Sequence, residues 1–116
     1  MGLDITISTK KHTLDFRKRN WLMGWVKKTL DIPEIENCET YLLSRDRIDD
    51  LMDDISKVLE DHSKAEEILP CCEGFFFGST KYDDYYFADL KDAKERLRGM
   101  FIDMSDGETA EFWSWW

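Results

Sequence analysis

Residues that can bind an anion stand together in the segment Gly78-Ser79-Thr80. A glycine-containing loop ahead of a helix start near Asp83 presents backbone N–H groups and hydroxyls, which bind oxyanions. The segment is not a P-loop, because it lacks the spaced glycines and the Gly-Lys-Ser/Thr ending. Local use of these residues in a turn and a helix cap is the simpler interpretation. The alternative, a site for a phosphate-bearing small ligand, comprises Arg17, Lys18, Gly78, Ser79, Thr80, Tyr82 and Asp83.

Four aspartates repeat at helical spacing in the middle of the chain. Asp49 stands four residues before Asp53, and Asp50 four before Asp54. Like charges at this spacing destabilise a helix by about 0.2–0.5 kcal/mol per pair. A solvated helix face is the simpler interpretation, and no catalytic partner accompanies these acids. The functional interpretation is an acidic strip that docks on Lys and Arg side chains of another protein.

Three cysteines and two histidines limit the metal and nucleophile chemistry. Cys38, Cys71 and Cys72, with His62 or His12, would supply the three thiolates and one imidazole of a zinc site. No Cys-x-x-Cys spacing supports that alternative, so thiols packed as small hydrophobes are the preferred interpretation. Both histidines lie in polar stretches, which disfavours a cysteine–histidine catalytic pair. We therefore expect no catalytic residues and no cofactor, with zinc as the alternative.

The first half of the chain predicts two strands and two helices. Leu3–Ser8 alternates apolar and polar residues, as a half-buried strand does, and a polar turn follows. From about Asp15 the apolar spacing becomes helical, and Pro33 ends this helix. Residues 38–43 predict a second strand, and Ser44 is a suitable N-cap for the helix after it. That helix has one apolar face, made of Ile48, Leu51, Met52, Ile55, Val58 and Leu59.

The second half predicts two more helices and a final strand. Ser63 and Glu66 fit a capping box for a short helix that stops before Pro70. Asp83 or Asp84 is the expected cap of a long helix. The aromatic segment 112–116 predicts a third strand beside the first or second. Side-chain alternation puts Trp113 and Trp115 on one face and Trp116 on the other, leaving at least one indole as a candidate binding anchor, with core packing as the alternative.

This element order predicts the fold class. An order of β-α-β-α-α-α-β in 116 residues is typical of one α+β domain, residues 1–116. We expect a small antiparallel sheet of about three strands, covered on one face by three to four helices in a two-layer sandwich.

Charge and composition limit the cellular compartment and the kinds of partner that we expect for this protein. Residues 1–30 contain seven basic and two acidic side chains, a net charge of +5. Because the whole chain has a net charge of −9, residues 31–116 must have a net charge of −14. Such an acidic segment would repel duplex DNA. The sequence has no apolar run of about 20 residues and no signal-peptide pattern. We therefore expect that the protein does not associate with a membrane. An odd number of cysteines favours a reducing compartment, and we expect a cytoplasmic protein.

Four segments together resemble a known group of proteins. They are the start Met1-Gly2-Leu3-Asp4, the helix segment Phe16–Asn20, the strand at Cys38 and the loop Gly74–Asp83. In this combination the chain resembles small phage and prophage proteins that share an MGLD start, a WRK-like helix and a GFFFGST-x-YD loop. The resemblance spans nearly the whole chain and implies a phage origin and a shared fold, without a known activity. Phe16 stands where the group has Trp, and Cys71-Cys72 where it has polar residues.

These observations lead to two expectations about function. The first is a non-enzymatic phage accessory protein that inhibits a host factor, in an anti-defence role such as blocking a CRISPR nuclease. Its partner would be a host protein with a basic nucleic-acid-binding face, met by Asp49, Asp50, Asp53 and Asp54. The second is a protein that sequesters a phosphate-bearing ligand at the Gly78–Thr80 loop with Arg17 and Lys18. A structural role in virion assembly is a third alternative.

Overall fold

The secondary structure comprises four strands, four α-helices and one 3-10 turn in the residues that a computed structural model describes, 2–73 and 79–116. The strands are β1 (Asp4–Ser8), β2 (Thr13–Arg17), β3 (Thr40–Ser44) and β4 (Thr109–Trp115). The helices are α1 (Asn20–Leu30), α2 (Arg45–Glu60), α3 (Ala65–Ile68) and α4 (Asp84–Ile102), and the 3-10 turn is His62–Lys64.

The strands form one antiparallel sheet in the order β2-β1-β4-β3. The C-terminal strand β4 lies in the middle, where Phe112 is opposite Ile7 of β1 and Tyr41 of β3. The α+β class is confirmed, and so is the expected pairing of the last strand. The strand number differs, since the described part of the chain has four strands where about three were expected.

The additional strand is β2, which the sequence analysis assigned to a polar turn and the start of a helix. Leu14 and Phe16 are buried while their neighbours are exposed, which is the period of a strand. A turn in which the Thr9 N–H donates to the His12 carbonyl at 2.8 Å connects β1 to β2. The helix begins only at Asn20, after Lys18 with a φ of 55°. The prediction of a helix across Phe16–Asn20 is therefore wrong for its first residues.

One face of the sheet holds the core. On β4, Ala110, Phe112 and Ser114 are buried, while the residues between them are exposed or half-buried. The buried side chains of β1 alternate in the same way. The predicted apolar stripes of the two long helices are also buried, with Ile48, Leu51, Ile55 and Val58 on α2 and Tyr86, Leu90, Ala93, Leu97 and Met100 on α4. The helices therefore cover one side of the sheet and leave the other open, as a two-layer sandwich requires.

Two of the three predicted helix caps are confirmed. Ser44 Oγ accepts from the Arg47 N–H at 3.3 Å, and Asp83 Oδ1 accepts from the Tyr86 N–H at 3.1 Å. The predicted capping box of Ser63 and Glu66 is wrong. The Asp61 carboxylate caps this turn instead, accepting from the Ser63 N–H at 3.1 Å and from its hydroxyl at 2.6 Å. These hydrogen bonds lower the pKa of Asp61.

Candidate functional site

The outward face of α2 carries exposed carboxylates. Burial of the apolar stripe turns the opposite side of the helix to solvent, and this side holds Asp49, Asp50 and Asp53, here called the acidic row. Within the described residues, no Lys, Arg or His lies within 4 Å of these three carboxylates. The structure thus presents three of the four predicted partner-binding aspartates to solvent, with no counter-ion in the described part of the chain.

The fourth aspartate has a structural contact. Asp54 is half-buried, and its Oδ2 accepts a hydrogen bond from Trp25 Nε1 at 3.0 Å. Its other oxygen lies 3.9 Å from Lys57 Nζ. Asp54 therefore links α2 to α1, and we no longer count it among the docking residues.

A row of basic side chains on α4 lies beside α2 and was not singled out from the sequence. Lys91, Lys94 and Arg98, here called the basic row, border a groove of about 430 Å³ together with Glu95 of α4 and Leu59 of α2. Their spacing of three and four residues places them on one side of α4. This spacing was present in the sequence, but its position beside α2 depends on the packing of the two helices.

The alternative ligand site is only partly assembled. Lys18, Ser79 and Asp83 line one cavity of about 230 Å³, to which Trp21 and Lys81 also contribute. The cavity wall further includes Asn20, Cys71, Tyr85, Tyr86 and Asp89.

Three of the other residues predicted for this site, all of them described, do not line the cavity. Arg17 is exposed and pairs with Asp4, with 3.2 Å between Arg17 Nε and the carboxylate. Thr80 is exposed, and Tyr82 accepts a hydrogen bond from the Cys71 N–H at 3.0 Å, but neither forms part of the wall. Gly78, the remaining residue of the predicted site, lies outside the described residues.

Hydrogen bonds position the segments around this cavity. Asn20 is buried, and its Nδ2 donates to the Ser79 carbonyl at 2.8 Å. The Tyr86 hydroxyl donates to the Leu69 carbonyl at 2.7 Å. Burial raises the pKa of Tyr86 and of the Cys71 thiol. Both groups are therefore protonated at neutral pH, which makes Cys71 a poor nucleophile.

The residues of the zinc alternative lie in separate parts of the described structure. Cys38 is exposed before β3, Cys71 and Cys72 are half-buried after α3, and His62 stacks on Phe87 with 3.7 Å between ring centroids. In residues 2–73 and 79–116, no group of three or more His, Cys, Asp or Glu side chains is arranged to hold a metal ion.

The open face of the sheet carries aromatic residues. Trp113 is half-buried and Trp115 is 48% exposed, whereas Phe112 between β1 and β3 is buried. Leu42 on β3 is 58% exposed. The prediction that one C-terminal indole stays accessible is confirmed for Trp115, and its use as an anchor stays a prediction.

Three features of the described residues are candidates for function: the acidic row, the cavity beside Lys18 and the aromatic open face. Comparisons with protein-family models, with curated proteins and with solved structures found no match to this chain. Across the described ranges, no helix has both the length and the apolar character needed to cross a membrane. The choice among the three features depends on their geometry and charge.

Proposed function

We propose that this is a non-enzymatic binding protein that docks its acidic row on a basic surface of a protein partner. The supporting observation is that Asp49, Asp50 and Asp53 are exposed and have no cation within 4 Å among the described residues. Binding would not break an internal ion pair, so the attraction to a partner's Lys and Arg would not be offset by a lost contact. A capped helix of 16 residues holds the three carboxylates in a fixed relation.

The partner of this proposal is a host protein whose basic face normally holds nucleic acid. Complementary charge raises the rate of association and selects against acidic partners. The protein would act by occupancy, since a covered basic face cannot bind nucleic acid. The resemblance to phage proteins suggests an anti-defence setting, with a CRISPR nuclease as one example of the target.

Replacing the acidic row by Asn tests this proposal. We expect the tagged protein to capture a stoichiometric partner from host lysate at low salt and to release it at high salt. The Asp49→Asn, Asp50→Asn, Asp53→Asn variant is expected to lose at least about tenfold in affinity, because three charge contacts of roughly 0.5–1 kcal/mol each disappear. The measurement is capture followed by mass spectrometry and titration.

A matched control separates the acidic row from overall charge. The Glu39→Gln, Glu66→Gln, Glu67→Gln variant changes three exposed carboxylates elsewhere by the same total charge. It is expected to bind like the natural chain. Binding that survives in the acidic-row variant, or falls equally in the control, would refute docking through α2.

Binding of a small oxyanion beside Lys18 is the second candidate function. Lys18 and Lys81 approach one cavity from different segments, and Trp21 in the same wall has an indole N–H without a hydrogen-bond acceptor among the described residues. A phosphate-bearing ligand offers acceptors to these donors and is attracted by the two lysines, while Asp83 and Asp89 in the same wall repel it.

A thermal-shift series tests this candidate. A nucleotide from a panel at millimolar concentration is expected to raise Tm, because a ligand that binds only the folded state stabilises it. Lys18→Ala should abolish the rise. Arg17→Ala should keep it, since Arg17 lies outside the cavity. A panel without any rise, or a rise that depends on Arg17 and not on Lys18, would reject the cavity as the site.

A further inference from the structure

The acidic and basic rows lie on neighbouring helices that run in opposite directions. At one end, Arg45 Nε of α2 donates to the Met104 carbonyl just beyond α4, at 3.2 Å. Further along, Leu59 of α2 borders the groove lined by Lys91, Lys94 and Arg98. Beyond α2, His62 stacks on Phe87 near the start of α4.

Helical spacing places part of the acidic row on the side of α2 that faces this groove. Asp49 and Asp53 share a side with Ser56 and Glu60, because they are separated by multiples of three and four residues. Met52 and Leu59 lie next to them at the same spacing, on the border with the core. The groove side of α2 therefore carries Asp49, Asp53 and Glu60, while the groove side of α4 carries the three cations of the basic row and one carboxylate, Glu95.

The opposite charges on this surface do not neutralise each other by direct contact. Among the residues that the structure describes, no ion pair within 4 Å joins Asp49, Asp53 or Glu60 to the basic row. Both rows therefore keep their capacity for ion pairs with another molecule.

We propose that a partner of the acidic row is a second copy of this chain, related by a two-fold axis that passes between α2 and α4. Such an axis places α2 of each copy over α4 of the other. The contact between an acidic row and a basic row therefore occurs twice in the dimer. The inference rests on the proposed function, because it takes the same carboxylates as the docking residues. It adds the basic row and the groove as the complementary half of the surface.

A second copy offers a surface that complements both rows, because opposite charges across an interface raise the rate of association and fix its register. A second copy presents both signs in the required order.

The size of the surface predicts a weak dimer. The helices have 16 and 19 residues, so they are roughly 24 and 28 Å long, and side by side they are about 20 Å wide. Each copy would cover about 500 Å², and the total of roughly 1,000 Å² lies at the lower limit for a specific interface. Leu59 in the groove and Ile102, which is 67% exposed one turn beyond Arg98, supply apolar contact. We expect dissociation in the micromolar range and strong sensitivity to salt.

Self-association and host binding would exclude each other, because both cover Asp49 and Asp53. A basic host surface would then have to displace the second copy. In this proposal the dimer is the form that the protein adopts when no host partner is bound.

Charge exchange tests the dimer. Sedimentation velocity of the full chain, up to about 200 µM and at about 50 mM salt, is expected to show a species of twice 13.8 kDa that dissociates at about 500 mM salt. The Asp49→Lys, Asp53→Lys variant and the Lys91→Glu, Arg98→Glu variant should each sediment as monomers. An equimolar mixture of the two should restore a dimer of mixed composition, since each variant then carries the sign that the other lacks.

A control removes the effect of net charge. Asp49→Lys with Asp53→Lys changes the net charge from −9 to −5, which by itself favours association, so loss of the dimer would be specific. Glu66→Lys with Glu67→Lys makes the same change on α3 and should keep the dimer. All six replaced side chains are exposed, and circular dichroism verifies that each variant folds.

The outcomes distinguish the dimer from the host complex. A natural chain that stays monomeric at low salt, or a mixture that restores no dimer, overturns the inference. If such a monomer still captures a host protein through the acidic row, the proposed function stands alone. A salt-sensitive dimer that captures no host protein leaves the dimer and refutes host binding.

Discussion

Replacing Phe112 by Ala is expected to lower the free energy of unfolding by about 3–5 kcal/mol. Phe112 is fully buried on β4, the strand that pairs with both β1 and β3. Its ring lies 6.5 Å from that of Tyr41, so truncation leaves a cavity between the sheet and its helices. Since small domains are stable by only about 5–15 kcal/mol, this loss is a large fraction of the total free energy of unfolding.

Urea denaturation at neutral pH measures this loss. Leu42→Ala is the matched control, because Leu42 lies on the neighbouring strand and is 58% exposed on the open face. Its cost is expected to stay below about 1 kcal/mol. A Phe112→Ala loss no larger than that of the control would contradict the assignment of β4 to the centre of the sheet.

The second large effect is expected for Arg19→Met. The Arg19 guanidinium is mostly buried and lies between two half-exposed carboxylates, at 3.5 Å from Asp89 and 3.2 Å from Asp92. Its Cζ also lies 5.3 Å from the centroid of the Phe16 ring, which Arg96 covers at 4.4 Å. Met keeps most of the apolar volume but leaves the carboxylates without this cation. We expect a loss of about 2–3 kcal/mol, less than for a fully buried pair because water reaches both acids.

The Arg19→Met penalty is expected to depend on pH. Burial raises the pKa of Asp89, and the Arg19 guanidinium opposes that rise. Without Arg19 the pKa of Asp89 in the folded state rises further above that in the unfolded state. As pH falls, the folded variant takes up a proton before the unfolded chain does, and this uptake stabilises the folded variant. The penalty should therefore be largest at neutral pH and shrink as pH falls through the Asp89 pKa of the variant.

Urea titrations at several pH values measure this dependence, with Arg17→Met as the control. Arg17 also pairs with an aspartate, but its side chain is 73% exposed, and such pairs contribute about 0–1 kcal/mol. Equal losses for the two variants would show that the Arg19 network adds nothing beyond a surface ion pair. A penalty that grows on acidification would reverse the expected sign.

The sequence by itself determined the elements whose signals are local. The apolar stripes of α2 and α4 repeat over about three and four turns, and the caps Ser44 and Asp83 act within three residues, so both could be predicted. The alternation in β1 and β4 likewise put Trp113 and Trp115 on one face, but it did not determine that this face is the open one. The exposure of Asp49, Asp50 and Asp53 followed from the same helical period.

Only the tertiary structure decided the rest, because these features depend on residues far apart in the chain. The five residues of β2 are too few to separate a strand from a helix start, and pairing with β1 makes the difference. Asp54 resembles its neighbours until Trp25, 29 residues earlier, donates a hydrogen bond to it. Arg17 pairs with Asp4 across the sheet and so lies apart from the cavity that Lys18 lines. The basic row became part of the candidate surface only because α4 packs beside α2, a contact that no local period encodes.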